Sequence, residues 1–409
     1  MRILVATQSY YPKTNGQAVF AVGLAEGLAE KGHHVLVVMP SDRIHAYDTR
    51  KNGVEINTIT ALPLVPFDAN VHVTPRPRPQ IEPILEKFEP DVVHVQDHYP
   101  LCHKIVMTAR QWGFPRVGTN HFLPRNMIPF FPFLPKFPRG RQFLEKLLWK
   151  SVLITYNHLD AVTAPTETAA EILRNHGLRA PVHAITCGVD LDRFHPDPTV
   201  DRANLLAKYG LDPNCTIFLY VGRVDQDKGL DILIRSLHFL KREDLQLGIA
   251  GQGHFVKSLR ELVAELELDE QIVFTGYVPA ADLPALYNSV RFFAMPSEAE
   301  LQSIATLEAM GTGRPVLAAN ANALPELVKD GINGYLFKPG DPQDAARCIN
   351  QMIEDGESWE AMSAASLDIV QPHHIGHMLH DYIRLYHSVI AEAPSHVESF
   401  NLSQGDTRT

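Results

Sequence analysis

Residues Arg291–Gly313 read RFFAMPSEAELQSIATLEAMGTG, and the fold turns on how they are parsed. Arg291–Ala294 (RFFA) is the end of a buried strand, short and apolar as parallel strands are. A polar turn follows, and the spacing then predicts a helix starting near Leu301 or Gln302. Glu300 stands at the mouth of that helix and Glu308 two turns inside it. A helix N-terminus offers unpaired N–H groups and the positive end of a dipole, which suits a phosphate. Glu300 then lies beside a group attached to that phosphate, and Glu308 reaches a hydroxyl pair further along. The layout fits a sugar–diphosphate–nucleoside. A glycosidase pair is the competing reading, but fully helical spacing sets the two about 12 Å apart at 1.5 Å per residue. Hydrolysis needs roughly 5–9.5 Å. A Glu complementing the helix dipole followed by an exposed mid-helix Glu gives the same spacing with no ligand.

The strand–helix alternation continues on both sides. Downstream lie Val316–Ala319 and Gly334–Phe337; upstream come Thr216–Val224, Leu230–Leu240, Leu245–Ala250, Phe255–Leu266, Ile272–Thr275 and Asp282–Asn288. An earlier run holds Ile3–Ser9, the helix Ala18–Lys31, then Val35–Met39, Val54–Ile59, Ile81–Phe88, Val92–Val95, Lys104–Trp112, Val117–Asn120 and Ala161–Ala164. Such alternation argues a doubly wound, mostly parallel sheet in each run. Gly188–Asn214, rich in proline and poor in periodicity, is the expected boundary. The expected organisation is 1–190, 191–372, a closing helix within 373–393 (Ile375–Ala391), and a polar tail, 394–409, expected to be disordered. In open α/β sheets ligands bind at the carboxyl ends of the strands, so a cleft between two such domains is the expected site.

With 409 residues, 45% apolar and 21% charged, the composition is that of a soluble globular chain of two or three domains. The chain opens directly on a strand, so no secretory signal is expected, and no apolar run approaches a membrane span. Cys102, Cys187, Cys215 and Cys348 are scattered without metal-ligand spacing, which points to a reduced, cytoplasmic protein. Net charge is −10, yet residues 1–195 carry 21 Lys+Arg against 17 Asp+Glu. That asymmetry suits a first half facing something anionic, although an acidic, solvated second half explains it equally. No nucleic-acid partner is expected.

Several loops carry chemistry. Thr14–Gly16 (TNG) follows the first strand, and Gly16 lets the backbone approach a phosphate. Gly222–Gly229 (GRVDQDKG) follows the first strand of the second run. Arg223 and Lys228 can converge there on a departing diphosphate, where negative charge develops. Asp225-x-Asp227 mimics a metal motif, but the adjacent cations already supply neutralising charge, so no metal and no cofactor are expected. His121, in Thr119–Pro124 (TNHFLP), ends a strand and should point toward the ligand. His94, His98 and His103 cluster at another strand end, with His98 best placed to see an acceptor. His373, His374, His377 and His380 have ligand-like helical spacing but no second ligand set, and are read as solvated.

In this order, TNG, TAPTETAAEIL, ITCGVDLDRF, VGRVDQDKGLDILIRSL, AGQG, FTGYV, the E-x7-E of Glu300 and Glu308, and ALPELVKDGINGYLF resemble the retaining glycosyltransferases of family 4 over nearly all of residues 1–391. The resemblance implies the GT-B form of the α/β class, two facing Rossmann-like domains with a C-terminal helix crossing back to the first. It implies that Gly16, Arg223 and Lys228 hold the diphosphate of a UDP- or GDP-sugar, helped by the N–H groups of Ile304 and Ala305. Glu308 would bind the ribose hydroxyls, and Tyr277 and Val278 would line the base through their backbone. Glu300 would hold the sugar hydroxyls and His121 would hydrogen-bond the sugar. Attack on the same face as departure is the mechanism the family implies. Where the family usually has Phe-Gly, this chain has Gln302 and Ser303, which adds polar groups near the sugar. Cys187 replaces a common Asn in the hinge.

The acceptor side is read from His121–Arg141, HFLPRNMIPFFPFLPKFPRGR. Phe122, Phe130, Phe131, Phe133 and Phe137 interleave with Arg125, Lys136, Arg139 and Arg141 and no acid, and Lys146 and Lys150 follow. Aromatics among cations suit an anionic bilayer surface, hence a lipid-borne acceptor and peripheral attachment to the inner face of the cell membrane. A proline-stiffened loop packing its Phe residues on its own domain is the plain alternative. HFLPRN with EAELQSIATLEAM also resembles family members assigned to glycolipid synthesis, which favours an acceptor of the diacylglycerol type. A soluble acceptor, a nucleotide-sugar epimerase and a non-catalytic nucleotide-sugar binder are the rival functions.

Overall fold

The computed structural model describes residues 1–11, 15–43, 45–64, 68–74, 77–128, 138–354 and 358–393, with backbone alone for 63–64, 68–73 and 138. The expected aromatic residues Phe130, Phe131, Phe133 and Phe137, with Lys136, and the tail 394–409 lie outside the described residues. Thr14 does too. The chain divides into two compact units: Met1–Thr186 together with the chain from Met378, and Cys187–His377. The second unit reaches a few residues beyond the expected boundaries at 190 and 372, for a local reason. Val189 and His374 form a parallel bridge, Val189 N–H donating to His373 O at 2.8 Å and Ile375 N–H to Val189 O at 2.8 Å. The outgoing and returning segments are thus stitched together within the second unit.

The first unit is built on an eight-stranded sheet. In spatial order its strands are Val182–Ala184, Ala161–Ala164, Arg116–Thr119, Val92–Val95, Arg2–Ala6, His34–Pro40, Val54–Ile59 and Asp48–Lys51. All pairings are parallel except Asp48–Lys51 with Val54–Ile59. The central strands read ILVA, VLVV and VVHV, and their residues are buried, as a sheet covered on both faces requires. Strand order reverses between Arg2–Ala6 and Val92–Val95. Thr7–Tyr11 and Gln96–Tyr99 leave their carboxyl ends together, Gln8 N–H donating to Asp97 Oδ2 at 2.7 Å, at the place where open α/β sheets bind ligands. Helix Ile375–Glu392 sends Tyr382 and Tyr386 into this unit, where both are fully buried.

The second unit is a six-stranded, all-parallel sheet ordered Ile272–Gly276, Leu245–Ala250, Thr216–Val221, Phe292–Met295, Val316–Ala319, Gly334–Phe337. Its core stacks Phe218 on Phe292, ring centroids 4.7 Å apart, with Leu219, Phe293 and Leu307 fully buried. Here the order reverses between Thr216–Val221 and Phe292–Met295. Gly222–Gly229 and Pro296–Ser303 leave those two strands side by side.

Three expectations need correction. The helix after Phe292–Met295 begins at Ile304, not at 301 or 302, because Ser303 caps it by accepting from Thr306 N–H at 3.2 Å. Glu300 therefore sits in the turn before the helix, and Glu308 is its fifth residue rather than two turns in. The presumed linker Gly188–Asn214 contains a helix, Arg202–Lys208, capped by Asp201. Finally, His373 and His374 are half-buried rather than solvated; Gly376 N–H donates to His374 Nδ1 at 2.9 Å.

Gly251 fixes the turn after Leu245–Ala250. Its φ is +150°, and a Cβ there would stand 1.8 Å from the carbonyl oxygen of Gly222. The turn after Leu245–Ala250 thus packs backbone on backbone against the loop after Thr216–Val221. Gly251→Ala is expected to cost several kcal/mol, about 3 or more, since neither loop has a flexible side chain to yield. Thermal unfolding checks this; an unchanged Tm would contradict the close packing.

Candidate active site

Arg223, Lys228 and Glu300 come from the two loops flanking the switch point of the second unit, and the structure brings them together. Lys228 Nζ is 2.7 Å from Glu300 Oε1 and 3.7 Å from Asp227 Oδ2. Arg223 Nη2 reaches the same Asp227 Oδ2 at 3.3 Å, and its Nη1 pairs with Asp225 Oδ2. Asp225 Oδ1 in turn accepts from His254 N–H at 2.9 Å, tying the clamp to the AGQG turn. Burial works against ionisation of Glu300, yet Lys228, with help from Ser297 and Arg223, holds its carboxyl below the ordinary range. The group is an anion at neutral pH, available to accept sugar hydroxyls.

Next to the clamp, helix Ile304–Gly311 starts with two unused donors. The N–H groups of Ile304 and Ala305 have no acceptor among the described residues, and both residues are half-buried rather than sealed. Together with Arg223 and Lys228 they supply four positive or partly positive groups for one anion.

Glu308 lies on the same helix, partly buried, with Oε2 accepting from Tyr287 Oη at 3.0 Å. Burial raises its pKa to about 7, against the smaller lowering effect of Tyr287 and Arg193. It is not the exposed mid-helix Glu of the ligand-free reading. Tyr277 is exposed and Val278 buried, at the end of strand Ile272–Gly276, so the backbone there is open beside a ligand-accessible tyrosine.

Gln302 is held by tertiary partners: Oε1 accepts from Cys187 N–H at 2.7 Å, and Nε2 lies 3.4 Å from His373 Nδ1. A buried amide at that position fastens the segment entering the second unit to the segment leaving it. Ser303 caps the helix and is likewise committed.

In the first unit, Gly16 is the first residue of helix Gly16–Glu30, whose cap Asn15 accepts from Ala18 N–H at 2.9 Å. A Cβ at Gly16 would meet nothing within 4 Å. Among the described residues neither packing nor a left-handed φ demands glycine there. His121 follows strand Arg116–Thr119, packs on Phe20 at 4.7 Å between centroids, and holds Gln96 Oε1 at 3.0 Å from its Nε2. Burial lowers its pKa to about 3, so the ring is neutral.

His98 is buried, stacked on Tyr99 and packed at 4.7 Å on Phe122, with its pKa pushed down to about 4 by burial. Its Nδ1 is buried without a hydrogen-bond partner among the described residues. Arg125 and Arg139 are exposed. His94 is instead an internal ring, bonded to Tyr386 Oη at 2.6 Å and Thr119 Oγ1 at 2.8 Å, and His103 bonds Thr155 Oγ1 at 3.0 Å.

Sequence reasoning overlooked Gln96, Asp97 and Tyr287. Asp97 is buried and accepts from Gln8 N–H at 2.7 Å, Tyr99 N–H at 3.1 Å and Gln17 Nε2 at 3.1 Å. A signal for it existed: polar QDH directly after the apolar run VVHV, at a strand end, is costly to bury without purpose.

Two family models match the chain: glycosyl transferases group 1 over residues 201–367 and glycosyltransferase family 4 over residues 14–193. An alpha-monoglucosyldiacylglycerol synthase of Streptococcus pneumoniae is 24% identical over 93% of this chain and 85% of its own length. A GDP-mannose-dependent alpha-mannosyltransferase of Corynebacterium glutamicum is 25% identical over 91% and 85%. Among solved structures, a sucrose-phosphate synthase from Thermosynechococcus elongatus superposes with a TM-score of 0.78 at 20% identity, over 96% of this chain and all of that one.

Proposed function

Because this chain belongs to glycosyltransferase family 4 and has the GT-B fold, we propose that it is a retaining, metal-independent hexosyltransferase. It moves a hexose from a UDP- or GDP-sugar to a hydroxyl of a membrane lipid of the diacylglycerol or glycolipid type. The observation that carries the reading is the clamp of the second unit, where Lys228 pairs with Glu300 and shares Asp227 with Arg223, beside two unused helix N–H groups. A diphosphate displaces Asp225 and Asp227 from the cations, and Glu300 takes the hydroxyls of the attached sugar. Glu308 receives the ribose diol, and the backbone at Tyr277 and Val278 lines the base. His121 hydrogen-bonds the sugar.

In the reaction the bond from the anomeric carbon to the phosphate oxygen breaks, and a bond to the acceptor oxygen forms on the same face. The acceptor's proton passes to the departing phosphate oxygen. Arg223, Lys228 and the helix N-terminus stabilise the charge growing there. Retention is supported by the alpha-linked products named for both relatives, since UDP-glucose and GDP-mannose are themselves α-configured. Metal independence is read from Arg223 and Lys228, whose cationic groups supply the neutralising charge a metal would otherwise bring.

A lipid acceptor is supported by the relatives' names and by helix Pro138–Tyr156. Phe143, Leu147 and Ile154 are 63%, 54% and 51% exposed and recur on one helical face with Arg139, Lys146 and Lys150, all exposed. Large apolar groups set among cations on a solvent face suit an anionic headgroup layer. Among the described residues no helix is long and apolar enough to cross a membrane; this reading has the helix face rest peripherally on the inner surface of the cell membrane. His98, with its buried unpaired Nδ1, is the acceptor-side residue.

Radiolabelled UDP- and GDP-hexoses, each offered with diacylglycerol in vesicles and with soluble sugars, test the function. Label appearing in lipid is expected; transfer to soluble acceptors alone removes the lipid assignment, and conversion of donor without acceptor would indicate an epimerase. Flotation tests the surface: the protein is expected to rise with anionic vesicles at low salt. Replacing Phe143, Leu147 and Ile154 by Ser should weaken that binding about tenfold or more. Equal flotation of the triple variant would place the contact elsewhere.

A further inference from the structure

We propose that Gln96 is a positioning residue that fixes which nitrogen of His121 carries the ring proton, leaving Nδ1 as a bare acceptor for a sugar hydroxyl. The inference rests on the reading above that His121 serves the donor sugar. Gln96 sits at the carboxyl end of strand Val92–Val95, at the switch point of the first unit, and is fully buried. Its backbone is pinned on both sides: its N–H donates to Ala6 O at 2.8 Å, and its carbonyl accepts from Gln17 Nε2 at 3.3 Å.

The side-chain amide joins two imidazoles. Oε1 is 3.0 Å from His121 Nε2, and Nε2 is 3.3 Å from His94 Nε2. A primary amide has an acceptor end and a donor end, so its two neighbours cannot play the same part. The carbonyl oxygen requires a proton on His121 Nε2. The amide N–H requires a lone pair on His94 Nε2, which sends the His94 proton to Nδ1, 2.6 Å from Tyr386 Oη. Burial keeps both rings neutral, so each has one proton to place. His94 Nε2 also meets Thr119 Oγ1 at 2.8 Å, a hydroxyl that can donate to the same lone pair, so the relay Tyr386–His94–Gln96–His121 runs in one direction with the amide oriented this way. Tyr386 belongs to the C-terminal helix Ile375–Glu392, so that helix participates in setting the state of a site residue.

The chemical consequence is selective. With Nε2–H spent on Gln96 and Nδ1 without a partner among the described residues, His121 accepts and does not donate outward. It matches an O–H of the sugar and rejects an ether, carbonyl or phosphate oxygen.

The test is the tautomer itself. Full-length protein labelled with 15N-histidine is observed by long-range 1H–15N correlation, and the His121 ring is assigned by its loss in His121→Gln. The wild-type ring is expected to carry its proton on Nε2 alone. In Gln96→Leu, a near-isosteric change, the two tautomers should mix, and kcat/KM for the donor should fall about tenfold, the loss of one oriented hydrogen bond. A wild-type His121 protonated on Nδ1 overturns the proposal without need of any variant. So does a Gln96→Leu protein whose His121 still carries its proton on Nε2 alone. A tautomer that shifts while kcat/KM stays constant upholds the role of Gln96 and removes the contact between His121 and the donor sugar.

Discussion

Changing Arg223 and Lys228 together to alanine is expected to lower kcat/KM for the nucleotide-sugar at least about a thousandfold. Single donors aimed at developing negative charge are worth roughly a hundredfold to a thousandfold each in preorganised sites, and these two share one anion. The expectation has a structural complication. Lys228 is also the partner of Glu300, with both side chains 13% exposed, and removing one member of a buried pair leaves an uncompensated charge. Loss of activity in the double variant could therefore reflect a disturbed loop. Thermal unfolding separates the causes: a double variant that melts within a few degrees of wild type and still loses activity has lost the anion clamp, whereas a large fall in Tm would locate the loss in the loop. A double variant with near-normal kcat would overturn the diphosphate assignment outright.

The parts of this arrangement differ in how plainly they could be read from residues. The parallel strands were legible because VLVV, VVHV and FLYV are continuous apolar runs, and continuous runs between helical stretches have few other solutions. The helix carrying Glu308 was legible as a helix but not in its start. Leu301 fits helical apolar spacing, and only its burial in the turn, with Ser303 capping behind it, shows that the first turn begins at Ile304. Cap choice is local hydrogen bonding, which periodicity does not register.

Gln302 illustrates a deeper limit. Its neighbours in sequence are site residues, so proximity suggested a role at the sugar. Its actual partners, Cys187 and His373, are far away along the chain and close only after folding. Gln96 and Tyr287 were illegible for the same reason. Each takes its meaning from tertiary partners, His121 and His94 for Gln96 and Glu308 for Tyr287. The charged clamp was easier, since Arg223, Asp225, Asp227 and Lys228 occupy one loop and only Glu300 arrives from elsewhere.

Glu308→Gln is expected to make the protein more stable at pH 8 and a poorer binder of its donor. The carboxyl's folded-state pKa is about 7 against an ordinary 4.5, raised chiefly by burial. A group with a raised pKa leaves the fold unpenalised below the unfolded value. The penalty then grows as pH rises from 4.5 and is complete above 7. At 1.36 kcal/mol per pH unit it amounts to about 3 kcal/mol at most. Glutamine removes it, so Tm of the variant should exceed wild type by several degrees at pH 8, with the advantage vanishing near pH 4.5. Donor binding runs the other way. A ribose diol donates to an ionised carboxylate, and hydrogen bonds to charged groups are worth about 1.5–3 kcal/mol each, so nucleotide affinity at pH 8 should fall about tenfold to a hundredfold or more. Wild-type affinity should rise between pH 6 and pH 8 as Glu308 ionises, while the variant stays flat over that range. Calorimetric titration with UDP and GDP at both pH values, beside thermal unfolding of the free proteins, reads all of these. A variant that bound nucleotide as well as wild type would make Glu308 a buried structural acid hydrogen-bonded to Tyr287. The combination of gained stability and lost affinity is what a group kept charged for a ligand must show, because the fold alone is better off without it.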